Sequence, residues 1–249
     1  PIILFETYKQ AFVYRGYKEA INFSFISDNL NSNSSNIPLV NPISKDKSQM
    51  RDSLLQGLLN NISYNSKRKQ KSIKLFEEGR TFRMLKNKIV ESDKFSAVIY
   101  GQISSTDLVK YSYNVGIDDL KSDILSAFPE VKFKRISGST YFFDINYTQQ
   151  LILNNKLVGY CGLVAKEITD KLDINGPVFA FEIDNINSVK CDARINYNKI
   201  SQYPSVYKDL TIKCTYDHDI TEITRNLNKK SYKYLKNIRI KDIFIQGDN

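Results

Sequence analysis

The hydrophobic period changes along this chain, and that change limits the folds open to it. From Ser48 onward Met50, Leu54, Leu55, Leu58, Leu59 and Ile62 recur at intervals of three to four residues, the single apolar stripe of an amphipathic helix about four turns long. The flanking segments alternate instead. Ala20 to Ile26 sets Ile21, Phe23 and Phe25 on one face of a strand, and Ile73 to Met84 reads as a strand broken at Gly79, where a bulge or turn is expected. Phe95 to Gln102 reads as a further strand with a buried centre. A chain with both periods packs helices on a sheet, and the expected fold class is α+β.

The remaining elements follow from the same signals. Residues 5–15 form a candidate helix closed by Gly16, and Gly116 to Phe128 carries Ile117, Leu120, Ile124, Leu125 and Phe128 at helical spacing before Pro129 stops it. Shorter strands are expected at 131–136, 140–146, 149–153 and 157–165, the last two joined by the turn Asn154-Asn155-Lys156, and another at Val178 to Ile183. Residues 27–36, almost all Ser and Asn with Leu30 as their apolar anchor, read as an exposed, mobile loop. A domain boundary is expected between Phe179 and Tyr203. Beyond it Ser205 to Thr215 alternates, Asp219 to Ser231 suits a helix and Ile238 to Ile245 alternates again, the first half of a ferredoxin-like fold. The expected domains are therefore 1–190 and 191–249.

Composition narrows the chemistry. With 41% hydrophobic residues among 249, including 16 Tyr and 14 Phe, the chain can bury a substantial core. One His and three scattered cysteines, Cys161, Cys191 and Cys214, form neither a disulfide framework nor a zinc site, and they read as ordinary thiols in a reducing compartment. The longest apolar stretches, such as Phe95 to Tyr100, fall far short of the roughly 20 residues of a membrane span, so no membrane partner is expected. A start at Pro1 without an initiator Met points to processing or to a piece of a longer polypeptide.

The usual catalytic signatures are missing from the sequence: it has no G-x-G-x-x-G, Walker loop, G-x-S-x-G or H-E-x-x-H. His218, in Asp217-His218-Asp219, reads as a loop and helix cap. Glu77-Glu78 and Asp118-Asp119 are sequence neighbours, which on a strand point to opposite faces and on a helix stand about 100° apart, so neither makes a carboxylate dyad. Net charge is +9, and two clusters carry much of it: nine basic residues from Lys67 to Lys88 against Glu77 and Glu78, and seven from Arg225 to Lys241 with no acid, interleaved with Tyr232 and Tyr234. Both suit a phosphate backbone with aromatics available for stacking; solvated surfaces of a Lys-rich protein are the alternative, weightier for the first cluster than for the second.

Four linked motifs are more specific: Asn41-Pro42-Ile43-Ser44; Met50-Arg51-Asp52-Ser53-Leu54-Leu55-Gln56-Gly57-Leu58-Leu59; Tyr64-Asn65; and Leu75-Phe76-Glu77-Glu78-Gly79-Arg80-Thr81-Phe82. Their order and spacing resemble the catalytic-like module of the bacterial phenylalanyl-tRNA synthetase β subunit. Ile200-Ser201-Gln202-Tyr203-Pro204-Ser205-Val206-Tyr207-Lys208-Asp209-Leu210 resembles the opening of that subunit's ferredoxin-like anticodon-binding domain. Departures are Gln56 in place of a Pro, Lys208 in place of an Arg, and Tyr141-Phe142-Phe143-Asp144 where Pro-Gly-Arg is usual.

The resemblance implies a class II aminoacyl-tRNA synthetase-like antiparallel sheet with flanking helices, followed by a partial ferredoxin-like domain. It implies a non-catalytic part of a cytoplasmic enzyme that attaches phenylalanine to its tRNA. The α subunit would make the adenylate; ATP and magnesium would serve the whole enzyme and neither would bind in this chain. The nearest equivalent of a nucleotide-binding glycine strand, Gly159 to Lys166, contains no arginine to stack on adenine. Implied partners are the α subunit, in an α2β2 heterotetramer, and tRNA. Met50, Leu54, Leu55, Leu58 and Ile62 would meet the α subunit, leaving part of the stripe exposed in the isolated chain. Lys208, Lys229, Lys230, Lys233, Arg239 and Lys241 would face RNA. A free-standing RNA- or protein-binding module that reuses the fold is the alternative.

Overall fold

The computed structural model describes residues 2–27, 30, 37–104, 112–136 and 142–186, with the backbone alone at 2–7 and 104; beyond these it describes only 204, 206–213, 235, 238, 241 and 242. The chain divides into two compact units, Pro1–Ile195 and Asn196–Asn249.

The first unit opens with α1 (Ile2–Tyr14). Tyr8 and Phe12, four residues apart, are buried on its inner side. Gly16, at φ 84°, ends the helix: its N–H bonds to Val13 O and that of Tyr17 to Phe12 O, a Schellman closure that needs a left-handed residue. The short strand β1 (Lys18–Glu19) follows. Next come β2 (Phe25–Ile26), a single 3-10 turn at Lys45–Lys47 and β3 (Gln49–Met50), with β2 and β3 paired in a small sheet of their own.

Then come α2 (Leu55–Ser66), β4 (Ser72–Leu85), β5 (Lys88–Ser104), β6 (Ser112–Asn114), α3 (Ile117–Ala127), β7 (Lys132–Arg135), β8 (Gln149–Leu153), β9 (Lys156–Leu163), α4 (Lys166–Lys171) and β10 (Val178–Asp184). The main sheet runs β1-β4-β5-β10-β9-β8-β7, with β6 added on β5. All its pairings are antiparallel except β1 with β4.

Side-chain alternation gives this sheet two different faces. On one, Phe76, Ala97, Phe181 and Cys161 join Tyr8 and Phe12 of α1 and Leu120 and Ile124 of α3 in an apolar core. Rings meet at centroid distances such as 5.2 Å for Phe12 and Phe95 and 5.0 Å for Tyr8 and Phe95. On the other, Ile73, Val98, Val178 and Ala180 pack under Leu55, Leu58, Leu59 and Ile62 of α2 and Ile168 of α4.

Several sequence expectations change here. The 50–62 helix begins five residues later, at Leu55, because Met50 is taken up by β3. Its stripe leaves nothing open: Leu54, Leu55, Leu58, Leu59 and Ile62 are 0–1% exposed inside this chain's own core, which overturns the expectation of an exposed part. Ile21 and Phe23 do not face a core with Phe25; they are 93% and 67% exposed, and the strand is only Phe25–Ile26. Gly79 neither bulges nor breaks β4, whose register with β5 runs unbroken from Ser72↔Gly101 to Leu85↔Lys88. Of the strand expected at 140–146 the described part, from Phe142, makes a single bridge, Phe143 to Val164.

In the second unit, residues 206–213 form no strand, and Val206, Tyr207 and Leu210 are 83–90% exposed. The helix expected at Asp219 to Ser231 lies outside the described residues, as do His218 and most of the strand expected at Ile238 to Ile245. Most of the 27–36 loop does too, although Leu30 is buried as its anchor.

Candidate functional site

On the α2 side of the sheet, one row of directly opposed residues crosses six strands: Glu77, Ser96, Glu182, Tyr160, Gln150 and Lys134. A polar row through an otherwise apolar layer demands partners for every buried group. At one end they come from the segment leading into α2.

Arg51 lies against β4, its carbonyl accepting the Phe82 N–H at 2.8 Å and its Nε donating to Arg80 O at 2.9 Å. Its Nη1 reaches Glu77 Oε1 at 2.6 Å, with the two side chains 6% and 2% exposed. Asn22 completes the carboxylate, donating from Nδ2 at 2.6 Å and from its backbone N–H at 3.2 Å. Gly79 explains itself at this point. A Cβ on it would stand 2.3 Å from Arg51 Nη2, so the glycine supplies the space the guanidinium fills. Glu78, next in sequence, points to the opposite face and bonds Tyr8 and Lys9, so the adjacent acids make no dyad.

Glu182 is the second centre. Its Oε1 accepts from Ser53 Oγ at 2.8 Å, from the Leu54 N–H at 2.9 Å and from Ser96 Oγ at 3.0 Å, while Oε2 meets Lys94 Nζ at 2.7 Å. The carboxylate thus caps the start of α2 from the sheet, where the positive end of the helix dipole favours it. Burial pushes Glu182 toward the neutral form, but the Lys94 charge and the bonds from Lys94, Leu54 and Ser53 outweigh it and hold its pKa below the ordinary value. Lys94 behaves as the mirror image: burial works against its charge, and Glu182 with Asp184, 2.9 Å away, raises it.

This half of the row is closed on itself. Each carboxylate oxygen of Glu182 is occupied and Arg51 is locked to Glu77. The glycine strand beside it has no spare room either: a Cβ on Gly159 would stand 2.0 Å from Glu182 O. Among the described residues no group of three or more His, Cys, Asp or Glu could hold a metal ion. The charged groups of this half of the row are taken up by one another, so no chemical step is assigned to them. Cys161, beneath the row, is fully buried, and burial pushes its thiol up to about 12, which makes it unreactive.

The motif residues meet in space although the sequence could not show it. Arg51, Ser53 and Leu54 come from one motif and Glu77 and Gly79 from another, while Asn22, Lys94, Ser96 and Glu182 stood in no motif. Gln56, the departure from the family's Pro, is the second residue of α2; its Nε2 donates to Ser27 O at 3.1 Å. Part of the Lys67 to Lys88 cluster meets local acids. Lys67 pairs with Asp173, Lys74 with Asp123 and Arg80 with Glu91 and Asp93, while Arg68 lies over the Tyr64 ring at the carbonyl end of α2. In the second unit Lys208 is exposed and Lys241 pairs with Asp209 at 2.8 Å; Lys229, Lys230, Lys233 and Arg239 lie outside the described residues.

The first unit is a mostly antiparallel sheet with helices on both faces, and one half of its polar row is taken up by internal pairs. The structure of the pyrrolysyl tRNA synthetase PylSc of Desulfitobacterium hafniense, a class II enzyme, superposes with a TM-score of 0.56 at 14% identity, over 74% of this chain and 65% of that one. More closely, the family description "phenylalanyl tRNA synthetase beta chain CLM domain" matches residues 3–185, and the chain belongs to that family.

Its relatives include the phenylalanine–tRNA ligase β subunits of Coxiella burnetii, 27% identical over 94% of this chain and 30% of that one, and of Buchnera aphidicola subsp. Schizaphis graminum, 32% identical over 85% and 28%. The chain spans about three tenths of the length of these curated relatives. They favour the synthetase reading over a free-standing module. No described helix is long and apolar enough to cross a membrane.

Proposed function

We propose that the chain acts as a non-catalytic scaffold within the β subunit of a phenylalanine–tRNA ligase, working in the cytoplasm in an α2β2 assembly whose ATP and magnesium serve the α subunit. The observation that carries this reading is the self-neutralised inner half of the row, from Glu77 to Glu182. A site that turned over a nucleotide would keep charged donors open to it, whereas Arg51, Lys94, Glu77 and Glu182 are all spent on each other.

For the α subunit, Leu54, Leu55, Leu58 and Ile62 support the interface from behind, by fixing α2 on the sheet, and half-buried Met50 does so through β3. Direct contact falls to the segment before α2, which exposes Ile21 at 93%, Phe23 at 67%, Val40 at 94% and Ile43 at 82%. Large apolar side chains left this open are what a partner surface would cover. Lys47, 3.6 Å from the Phe23 ring centroid, adds a cation there. For tRNA, Lys208, Lys229, Lys230, Lys233, Arg239 and Lys241 remain the proposed phosphate contacts of the second unit.

The test is co-expression of the α subunit with the whole β subunit carrying Phe23→Glu and Ile43→Glu. A folded β subunit that no longer co-purifies with α supports the reading; an intact heterotetramer removes this surface from it.

A further inference from the structure

The other half of the polar row is only partly covered, with Tyr160 packed in part against the core beneath α2. Beyond Glu182 it continues through Tyr160 and Gln150, both half-buried, to exposed Lys134 at the sheet edge. One step along, exposed Lys132 stands opposite half-buried Ile152, which stands opposite Leu157. Directly opposed side chains on an antiparallel sheet lie about 5 Å apart at Cβ, so a tyrosine, an amide and two ammonium groups share one surface. The strand partners of both lysines are neutral, and neither lysine forms an ion pair among the described residues. That sets them apart from Lys67, Lys74 and Arg80, whose charges are answered nearby.

We propose that this outer half of the sheet face, Lys132 and Lys134 of β7 with Gln150 and Tyr160, binds single-stranded RNA. The site rests on the tRNA-binding part of the function proposed above and uses residues of the first unit alone. A polyanion matches the uncompensated charge. The aromatic side chain and the amide in the same row provide what a splayed base uses, a face to stack on and a donor and acceptor for its edge. Lysines on an edge strand also blunt edge-to-edge pairing, but that role accounts for the charge of β7 alone and not for the tyrosine and amide aligned with it.

The test titrates the full chain with a labelled oligouridylate of about 12 nucleotides, within the site sizes of single-strand binders, over a salt series. In Lys132→Ala/Lys134→Ala the affinity should fall and the log–log salt slope shrink by about 1.4, two contacts at about 0.7 each. Lys86→Ala/Lys88→Ala, which removes the same charge from the β4–β5 turn, should leave the slope unchanged. Ultraviolet cross-linking should mark the peptide Leu157 to Lys166, and Tyr160→Leu should abolish that mark while circular dichroism stays unchanged.

A wild-type slope in the Lys132/Lys134 variant overturns the site and leaves RNA binding elsewhere intact. Equal losses in both double variants reduce the effect to net charge and overturn it as well, as does equal competition by polyglutamate. Absence of any binding by the wild-type chain overturns both this site and the RNA-binding part of the function it rests on.

Discussion

Replacing Arg51 by Met removes one partner of the most enclosed ion pair among the described residues. Glu77 would stay where β4 puts it, 2% exposed, with Asn22 as its sole remaining donor among the bonds described above. Breaking a buried pair from one side costs about 3–5 kcal/mol, because the orphaned charge keeps its desolvation penalty. Loss of the Arg51 Nε bond to Arg80 O adds about 1 kcal/mol. Against a total stability of about 5–15 kcal/mol, a loss near 5 kcal/mol is a large fraction.

Urea unfolding followed by far-ultraviolet circular dichroism and by tyrosine emission, in a chain without Trp, reads the change as a lower midpoint at constant slope. The companion variant Arg51→Met/Glu77→Leu removes both charges and should recover at least about 1 kcal/mol of the loss, a coupling typical of residues in contact. A loss below about 1 kcal/mol for Arg51→Met, or simple additivity in the double variant, would refute the assignment of Arg51 and Glu77 as a coupled buried pair.

Leu58→Glu places a charge at a position 0% exposed in the chain's own core, so the isolated chain should unfold, whereas Ile43→Glu, at a position 82% exposed, should leave its thermal midpoint unchanged. Thermal scans of the two variants separate an internal role for α2 from an external one. Glu182 has a depressed pKa, so its contribution to stability is complete above the ordinary value of 4.5 and is lost as the pH falls through the lower folded value. Glu182→Gln should therefore be less stable than wild type at neutral pH and flatter below pH 4.5; parallel stability curves would contradict the capping role. Cys161, with its thiol pushed up to about 12, should resist iodoacetamide at pH 8 in the folded protein and react in urea, as read by mass spectrometry of its peptide; rapid native labelling would show that the layer beneath the row is not closed.

What the residues announced and what they concealed divide along physical lines. Short-range signals were legible: Gly16 as a helix stop, Pro129 after α3, and Asn154-Asn155 as a tight turn, where both residues adopt positive φ. The turn at Lys86-Asn87 was not, because a lysine rather than an asparagine takes the first left-handed position. Gly79 suggested a break, as glycine in a strand often does, but its reason is the Arg51 side chain brought to it from 28 positions earlier. Periodicity showed that Leu58 and Ile62 would be covered without showing by what, since a sheet of the same chain and a partner helix leave the same stripe. The Ile21 and Phe23 alternation misled for the same reason in reverse: no described residue of the first unit buries them in a core. The row from Glu77 to Lys134 depends on strand order, which joins β10 to β5 and β9, and no local pattern carries that information.

The central claim is that this chain supports an aminoacylating enzyme without performing its chemistry. It is tested most directly by phenylalanine-dependent exchange of pyrophosphate into ATP, measured on the purified chain alone and on the α2β2 enzyme in parallel. Exchange by the complete enzyme, with the chain alone at background, is the predicted result. Exchange by the chain alone that survives further purification and is abolished by Arg51→Met would contradict it, and would mean that the Arg51–Glu77 pair opens to admit a nucleotide.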